Sequence, residues 1–323
     1  MKILIVTPAR VRSRLGNAIT AQRYASFFRK AGWKATLART YRGEDVDVLV
    51  ALHAYKSADA ALCFRTAHPH RPLIVVLTGT DLYGDLLKSI RAQRVLAAAT
   101  AVVTLQPLGL QEISAPFRIK ARSIIQSSPL ARLVDKRGPK KQATVFCVLG
   151  HLRAEKDPLR AAMAVRLLPR SVNAKVLQAG GALDRALAQA ARREIRRNPR
   201  YRWLGELSRG AVRRLLRSSD AMIISSILEG GANVVSEAIA NGVPVLASRI
   251  EGNVGLLGDG YPGLYPVRDT KALARLMLRV VDEAQFLRRL RTWIRRLRPL
   301  VSPASEKREW MKLVHALATA PTT

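Results

Sequence analysis

A chain of 323 residues that is 48% hydrophobic but only 5% aromatic has room for two ordinary domains, each packed with Ala, Leu, Val and Ile. No apolar run is long enough to span a bilayer, Ile3 to Val6 is too short for a signal peptide, and Cys63 and Cys147 lack CxxC or Cys/His metal spacing, so the expectation is a cytoplasmic protein with both cysteines in apolar cores. A net charge of +32, from 55 Lys and Arg against 23 Asp and Glu, attracts polyanions nonspecifically, but no motif for reading bases is present and no specific nucleic-acid partner is expected.

The apolar run Ile3 to Val6 predicts a buried opening strand, followed by a loop carrying Arg10, Arg12, Arg14, Gly16 and Asn17 and a helix from about Ile19 to Lys30. Rossmann-like domains begin this way, but G-x-G-x-x-G is missing and a dinucleotide is not indicated. The loop arginines read equally as positive charge over an anionic ligand or as solvated side chains. Further strands are predicted near Ala35 to Ala38, Val46 to Leu52, Leu73 to Leu77, Ala101 to Leu105 and Ala121 to Ile125, with a helix over Ser57 to Ala67. Ligands of parallel sheets bind beyond the carboxyl ends of strands, where His53 and Thr78 to Asp81 fall. His53 reads either as a structural hydrogen-bonding group or as a substrate contact. Thr78, Thr80 and Asp81 flank Gly79 with short polar groups for a ligand; for Thr80 and Asp81 the alternative is the cap of a helix beginning near Gly84.

Residues 127–143 hold two prolines, a glycine and the pairs Lys136-Arg137 and Lys140-Lys141 without a period, which reads as a linker. A second series then alternates strands (Val145 to Leu149, Ala174 to Gln178, Tyr201 to Leu204, Ala221 to Ile224, Val243 to Ala247) with helices (Pro158 to Leu168, Leu183 to Arg197, Arg209 to Ser218, Val234 to Ala240). Two Rossmann-like halves result, with a cleft between them as the expected ligand site. Arg153 and Lys156 stand before a helix that Asp157 is expected to cap and Pro158 to open. They are placed to neutralise a diphosphate, with solvated loop cations as the alternative. Glu229 and Glu237 are separated by seven residues, and Gly230-Gly231 follows the first. Acceptor-only carboxylates suit a polyhydroxylated ligand such as a nucleotide sugar, and glycines at a strand-to-helix junction let a phosphate approach the backbone. The alternative is a loop charge and a solvated helix residue. Gly252 to Gly255, around Asn253, is expected to offer N–H groups to phosphate. Arg288, Arg291, Arg295 and their neighbours interleave with Phe286, Leu290 and Ile294 in a basic amphipathic helix, read first as a surface helix with its apolar side on the core. A last helix is predicted over Ser305 to Leu317.

Gly150 to Lys156, Trp203-Leu204-Gly205, Glu229 to Glu237 and Asn241 to Val245, as an ordered set, resemble the GT-B glycosyltransferases of family 4, whose EX7E motif is the Glu229/Glu237 pair. The resemblance implies an α/β GT-B fold: two Rossmann-like domains with parallel sheets facing across a cleft. It divides the chain into an acceptor domain (1–128), a linker (129–142), a donor domain (143–304) and a C-terminal helix (305–323) packing back on the first domain. It implies that Glu237 binds the ribose hydroxyls, Glu229 the sugar near the reacting centre, and Gly230, Gly231, Asn233, Val234 and Asn253 the sugar and diphosphate. The uracil would lie by the backbone of Trp203, Leu204 and Gly205, and Lys156 matches the phosphate lysine. His151 stands where the family places an arginine, with Arg153 two positions later.

GHLRAEKDPLRAA from Gly150, YRWLGEL from Tyr201, the stretch from Ser225 to Gly258 and LTGTDLYGDL from Leu77 resemble more narrowly the selenosugar synthases of selenoneine biosynthesis. That subfamily implies transfer from UDP-N-acetylglucosamine, or another UDP-hexose, to selenophosphate, forming a C–Se bond and releasing UDP. The catalytic set is then Glu229, Lys156, Arg153, Thr80 and Asp81, with Arg10, Gly16, Asn17, His53 and Thr78 toward the acceptor. No DxD-like metal site is present in these loops, so metal-independent chemistry is expected. The family implies retention and the subfamily inversion at the anomeric carbon. The alternatives are a family 4 transferase acting on a lipid or glycan hydroxyl, with the basic helix touching an anionic membrane, and a noncatalytic polyanion-binding protein.

Overall fold

The computed structural model describes residues 1–10, 13, 15–133 and 143–319. Arg12, Arg14 and the linker pairs Lys136-Arg137 and Lys140-Lys141 lie outside the described residues. The chain divides into two compact units. The first contains Met1–Gln126, Glu229–Asn233 and Pro303–Thr323; the second contains Ser127–Leu228 and Val234–Ser302.

Six parallel strands form the sheet of the first unit: β1 (Lys2–Val6), β2 (Lys34–Ala38), β3 (Val48–Leu52), β4 (Leu73–Val76), β5 (Ala101–Thr104) and β6 (Ala121–Ser123), in the order β2-β1-β3-β4-β5-β6. β3, β4 and β5 are buried along their whole length, so they read as unbroken apolar runs rather than alternating ones. Successive residues point to opposite faces: Leu4, Leu49, Val75 and Phe64 pack on one side, and Ile5, Val50, Ile74 and Phe28 on the other. Trp310 of the helix Pro303–Thr319 completes the second face, 4.4 Å from Tyr24 between ring centroids and edge-on to Phe28.

The second unit repeats the plan with β7 (Thr144–Leu149), β8 (Ala174–Ala179), β9 (Tyr201–Trp203), β10 (Ala221–Ile224), β11 (Val245–Ser248) and β12 (Leu264–Tyr265), ordered β12-β11-β10-β7-β8-β9 and parallel throughout. The direction of strand succession reverses between β1 and β3 in the first sheet and between β7 and β10 in the second. Such switch points open crevices at the carboxyl ends of the strands.

Several sequence expectations are corrected. The helix expected from Gly84 is a π-helical turn, Asp81–Asp85, running into Leu86–Lys88. Neither Thr80 nor Asp81 caps it, because the Asp81 carboxylate reaches backwards to the N–H groups of Thr78 and Gly79. Asp157 is not the expected helix cap: its backbone is left-handed, its carboxylate accepts from Arg160, and the helix starts only at Arg160. Cys63 is exposed, on the outer side of the helix Ala58–Ala67, whereas Cys147 is buried in β7. The helices Ile90–Ala98 and Thr270–Asp282 and the short strand β12 were not anticipated. Among the described residues no helix is long and apolar enough to cross a membrane.

Candidate active site

In the first unit the site is built at the ends of β3 and β4. Buried Asp81 accepts from Thr78 N (2.8 Å) and Gly79 N (2.8 Å) through Oδ1, and from Ala54 N (3.0 Å) through Oδ2. These charge-assisted bonds stitch the two strand-end loops together and offset the cost of burying the carboxylate. His53, also buried, holds a left-handed backbone at φ 74°, a conformation for which histidine is among the more tolerant side chains. Its Nδ1 accepts from Lys56 N at 3.3 Å, so the ring proton sits on Nε2 and is donated to Thr80 Oγ1 at 2.9 Å. Burial pushes the His53 pKa below its ordinary value; the nearby Asp81 and Asp85 carboxylates pull the other way without overcoming it. A neutral His53 thus uses the hydroxyl of exposed Thr80 as an acceptor, which leaves the hydroxyl's own proton available to a further acceptor.

The glycine loop Glu229–Asn233 packs on the same edge. Gly79 has φ 135°, and a Cβ there would lie 2.6 Å from Gly230 N; a Cβ on Gly231 would lie 2.6 Å from Leu105 Cβ. The glycines therefore allow backbone to meet backbone and side chain at van der Waals range, a role added to the ligand approach read from the sequence. Asn233 Oδ1 accepts from Arg23 Nη1 at 3.1 Å and its Nδ2 donates to Thr20 Oγ1 at 3.4 Å. Arg23 also pairs at 2.9 Å with Glu306, which is fully buried. Gly16 begins the helix Gly16–Arg29 close to Asn233, and that helix has no acidic residue in its first turn and no side-chain cap. Asn17 is partly buried there, and Arg10 is exposed.

In the second unit the switch point between β7 and β10 is lined by Gly150, His151, Lys156, Gln178, Ser225 and Ser226 around a cavity of about 20 Å³. That is room for one water, so any larger ligand would lie over this edge rather than inside it. Gly180 donates to Gly205 O, Leu204 N donates to Gln178 O, and Trp203 Nε1 donates to Gly180 O, each at 2.8 Å. A Cβ on Gly180 would come within 1.9 Å of Gly150 O, so only glycine closes this loop. The turn Ala154–Lys156 is pinned to the end of β10: Ser225 Oγ donates to Asp157 O (2.8 Å) and Ile227 N to Glu155 O (2.8 Å). Lys156 is partly buried on the cavity, whereas the Arg153 guanidinium is half exposed and paired with Glu155. Glu237 lies in the second turn of the helix Asn233–Ala240, partly exposed, with Val234 in its first turn.

The structure brings together His53, Thr78, Thr80, Asp81, Gly230 and Gly231 in the first unit and Lys156 with the β7 and β10 ends in the second. Asn253 does not offer its N–H to a phosphate: that N–H and Val254 N are bonded to Ile250 O, and the buried Asn253 Nδ2 donates to Ser248 O at 2.9 Å. Sequence reasoning missed Gln178, Ser225 and Ser226. Gln178 Nε2 is buried with no partner among the described residues, while its Oε1 accepts from Tyr201. Their signal was polarity at the carboxyl end of an apolar strand.

The sequence profile described as "Glycosyl transferases group 1" matches residues 131–296, just over half of the chain. The chain belongs to the group 1 glycosyltransferases. Among curated proteins, the UDP-Gal:alpha-D-GlcNAc-diphosphoundecaprenol alpha-1,3-galactosyltransferase of Escherichia coli is 29% identical to it over 153 residues, 45% of this chain. The aligned part spans 38% of that relative's length. Among solved structures, HepE of Anabaena, crystallised with UDP and glucose, superposes with a TM-score of 0.75 at 14% identity, covering 98% of this glycosyltransferase and all of HepE. Sucrose-phosphate synthase of Thermosynechococcus elongatus gives 0.78 at 15% identity, covering 98% of each chain. At such identities the likeness establishes the fold, and the fold of this group 1 glycosyltransferase is GT-B.

Proposed function

We propose that this glycosyltransferase transfers a hexosamine from UDP-N-acetylglucosamine, or the hexose of another UDP-sugar, to the selenium of selenophosphate. The UDP-sugar half of this reading is supported by relatives: HepE has been crystallised with UDP-glucose, and the E. coli relative is named for a UDP-galactose donor. The acceptor half rests on one observation, the closeness of Gly230 to the Thr78–Gly79 backbone beside the exposed, His53-bonded Thr80. An edge closed this tightly suits a small polar anion rather than a bulky glycan. The subfamily resemblance of LTGTDLYGDL supplies the identity of that anion.

In this mechanism selenium attacks the anomeric carbon while the bond from that carbon to the UDP oxygen breaks, and the electron pair leaves with UDP. Lys156 and, less directly, the Glu155-paired Arg153 meet the developing diphosphate charge. Glu237 holds the ribose and Glu229 the sugar, while Val234, Asn233 and the backbone of Trp203, Leu204 and Gly205 frame the donor. Selenophosphate is already an anionic nucleophile, so no strong base is assigned. Thr80 donates to its phosphate, Thr78, whose Oγ1 donates to Asp81 at 3.4 Å, borders it, Gly16 and Asn17 offer helix-start N–H groups, Arg10 adds charge, and Asp81 and His53 position the threonines. Hydrolysis of the P–Se bond by water then yields the selenosugar and phosphate.

Incubating the protein with UDP-N-acetylglucosamine and selenophosphate should give a selenium-bearing hexosamine by mass spectrometry, dependent on both substrates. Turnover on a lipid-linked or free glycan hydroxyl without any selenium product would overturn the reading. That outcome is the second reading, favoured by the acceptor named for the E. coli relative.

A further inference from the structure

At the opposite end of the second sheet, where Asp220 precedes β10 and Pro244 precedes β11, lies a cavity of about 520 Å³. Such a volume falls in the range of small-molecule sites. Strand β10 separates it from Ser225 and Ser226 by roughly 15 Å at about 3.3 Å per residue. Five arginines line it: Arg132, Arg217, Arg288, Arg291 and Arg295. The last three recur on one face of the basic helix Ala284–Leu297, whose other face buries Phe286, Leu290 and Ile294. Among the described residues none of the five guanidiniums has an ion-pair or hydrogen-bond partner. The facing carboxylate, Asp220, has Oδ2 engaged by Val145 N at 2.9 Å. The remaining wall is built and held: Ala131 N donates to Ala240 O, and the Leu133 side chain packs on Gly242, whose φ of 68° favours glycine. Five like charges around one concavity repel each other when it is empty and attract a multiply charged anion into it.

We infer that this cavity is a second anion site, distinct from the donor edge, that takes a compact ligand with several phosphate charges. A free polyphosphorylated metabolite and the headgroup of a phosphorylated lipid share that chemistry. A duplex nucleic acid does not enter a concavity of this size.

The full chain is titrated calorimetrically with sodium tripolyphosphate, with and without saturating UDP, and sedimented with phosphatidylcholine vesicles with and without phosphatidic acid. The variant R288Q/R291Q tests the cavity; R289Q/R296Q removes the same charge from the same helix outside it. Tripolyphosphate binding should persist with UDP present, weaken about tenfold or more in R288Q/R291Q, and change little in R289Q/R296Q. The same pattern in phosphatidic acid vesicles alone identifies a lipid headgroup as the source. Equal weakening by both variants would reduce the effect to net charge, displacement by UDP would move the anion to the donor edge, and no binding of either probe at low ionic strength would remove the site. Each of these results overturns the inference. Thermal melts guard against misfolding, since removing repelling charges should leave R288Q/R291Q at least as stable as the parent.

Discussion

His53 carries a direct pH signature. Its folded-state pKa is held down by burial, whereas the unfolded chain protonates near the ordinary value of about 6.5. The unfolded state therefore binds more protons just below that pH. The stability His53 contributes is complete above about 6.5 and is lost as pH falls toward its folded pKa. His53→Asn, which tolerates the left-handed backbone, should flatten the urea midpoint between about pH 7 and about pH 5; an unchanged slope would assign the acid sensitivity to other groups. Gly79→Ala places a Cβ 2.6 Å from Gly230 N at a φ of 135°, so a loss of about 1–3 kcal/mol in denaturant unfolding is expected. For the two glutamates, Glu237→Ala should weaken UDP binding about tenfold with modest effect on turnover at saturation, and Glu229→Ala the reverse. Parallel losses in both, together with altered circular dichroism, would contradict the division of roles.

Among the elements, the helix Pro303–Thr319 is held to the first unit by Trp310 in the core and by the Arg23–Glu306 pair. Arg23→Ala removes the cation facing a fully buried carboxylate and should cost about 3–5 kcal/mol, read as a lower denaturation midpoint. Arg23→Met combined with Glu306→Leu should recover most of that loss, since neither charge is then left in the interior. This pair also shows where sequence reading stops. The strands were legible because β3, β4, β5 and β10 are buried on both faces and appear as unbroken apolar runs. The strand-to-helix junction at Gly230 and Gly231 was legible because β10, the glycine pair and the helix Asn233–Ala240 follow one another in the chain. Arg23 meets Glu306 and Asn233 across more than 200 residues, and no local pattern announces such a partner. The Asp81 carboxylate looked like a cap because a helix follows it; its hydrogen bonds to Thr78, Gly79 and Ala54 depend on the register of β3 beside β4. Cys63 sits on a helix face whose orientation only packing decides.

For the whole molecule, a charge of +32 on 323 residues means that self-repulsion opposes the folded state. Raising ionic strength from low salt to about 0.15 M should therefore raise the melting temperature, as screening over about 8 Å relieves repulsion between exposed arginines. One fold serves many functions, so the reaction class rests on the group 1 family match and the acceptor must be read from the site. The central claim is that the bond made at the anomeric carbon is to selenium rather than to oxygen. NMR of the product formed from carbon-13-labelled UDP-N-acetylglucosamine and selenophosphate tests it directly. The account predicts a scalar coupling between the anomeric carbon and selenium, appearing in step with UDP release; UDP release with an anomeric carbon bonded only to oxygen would contradict it.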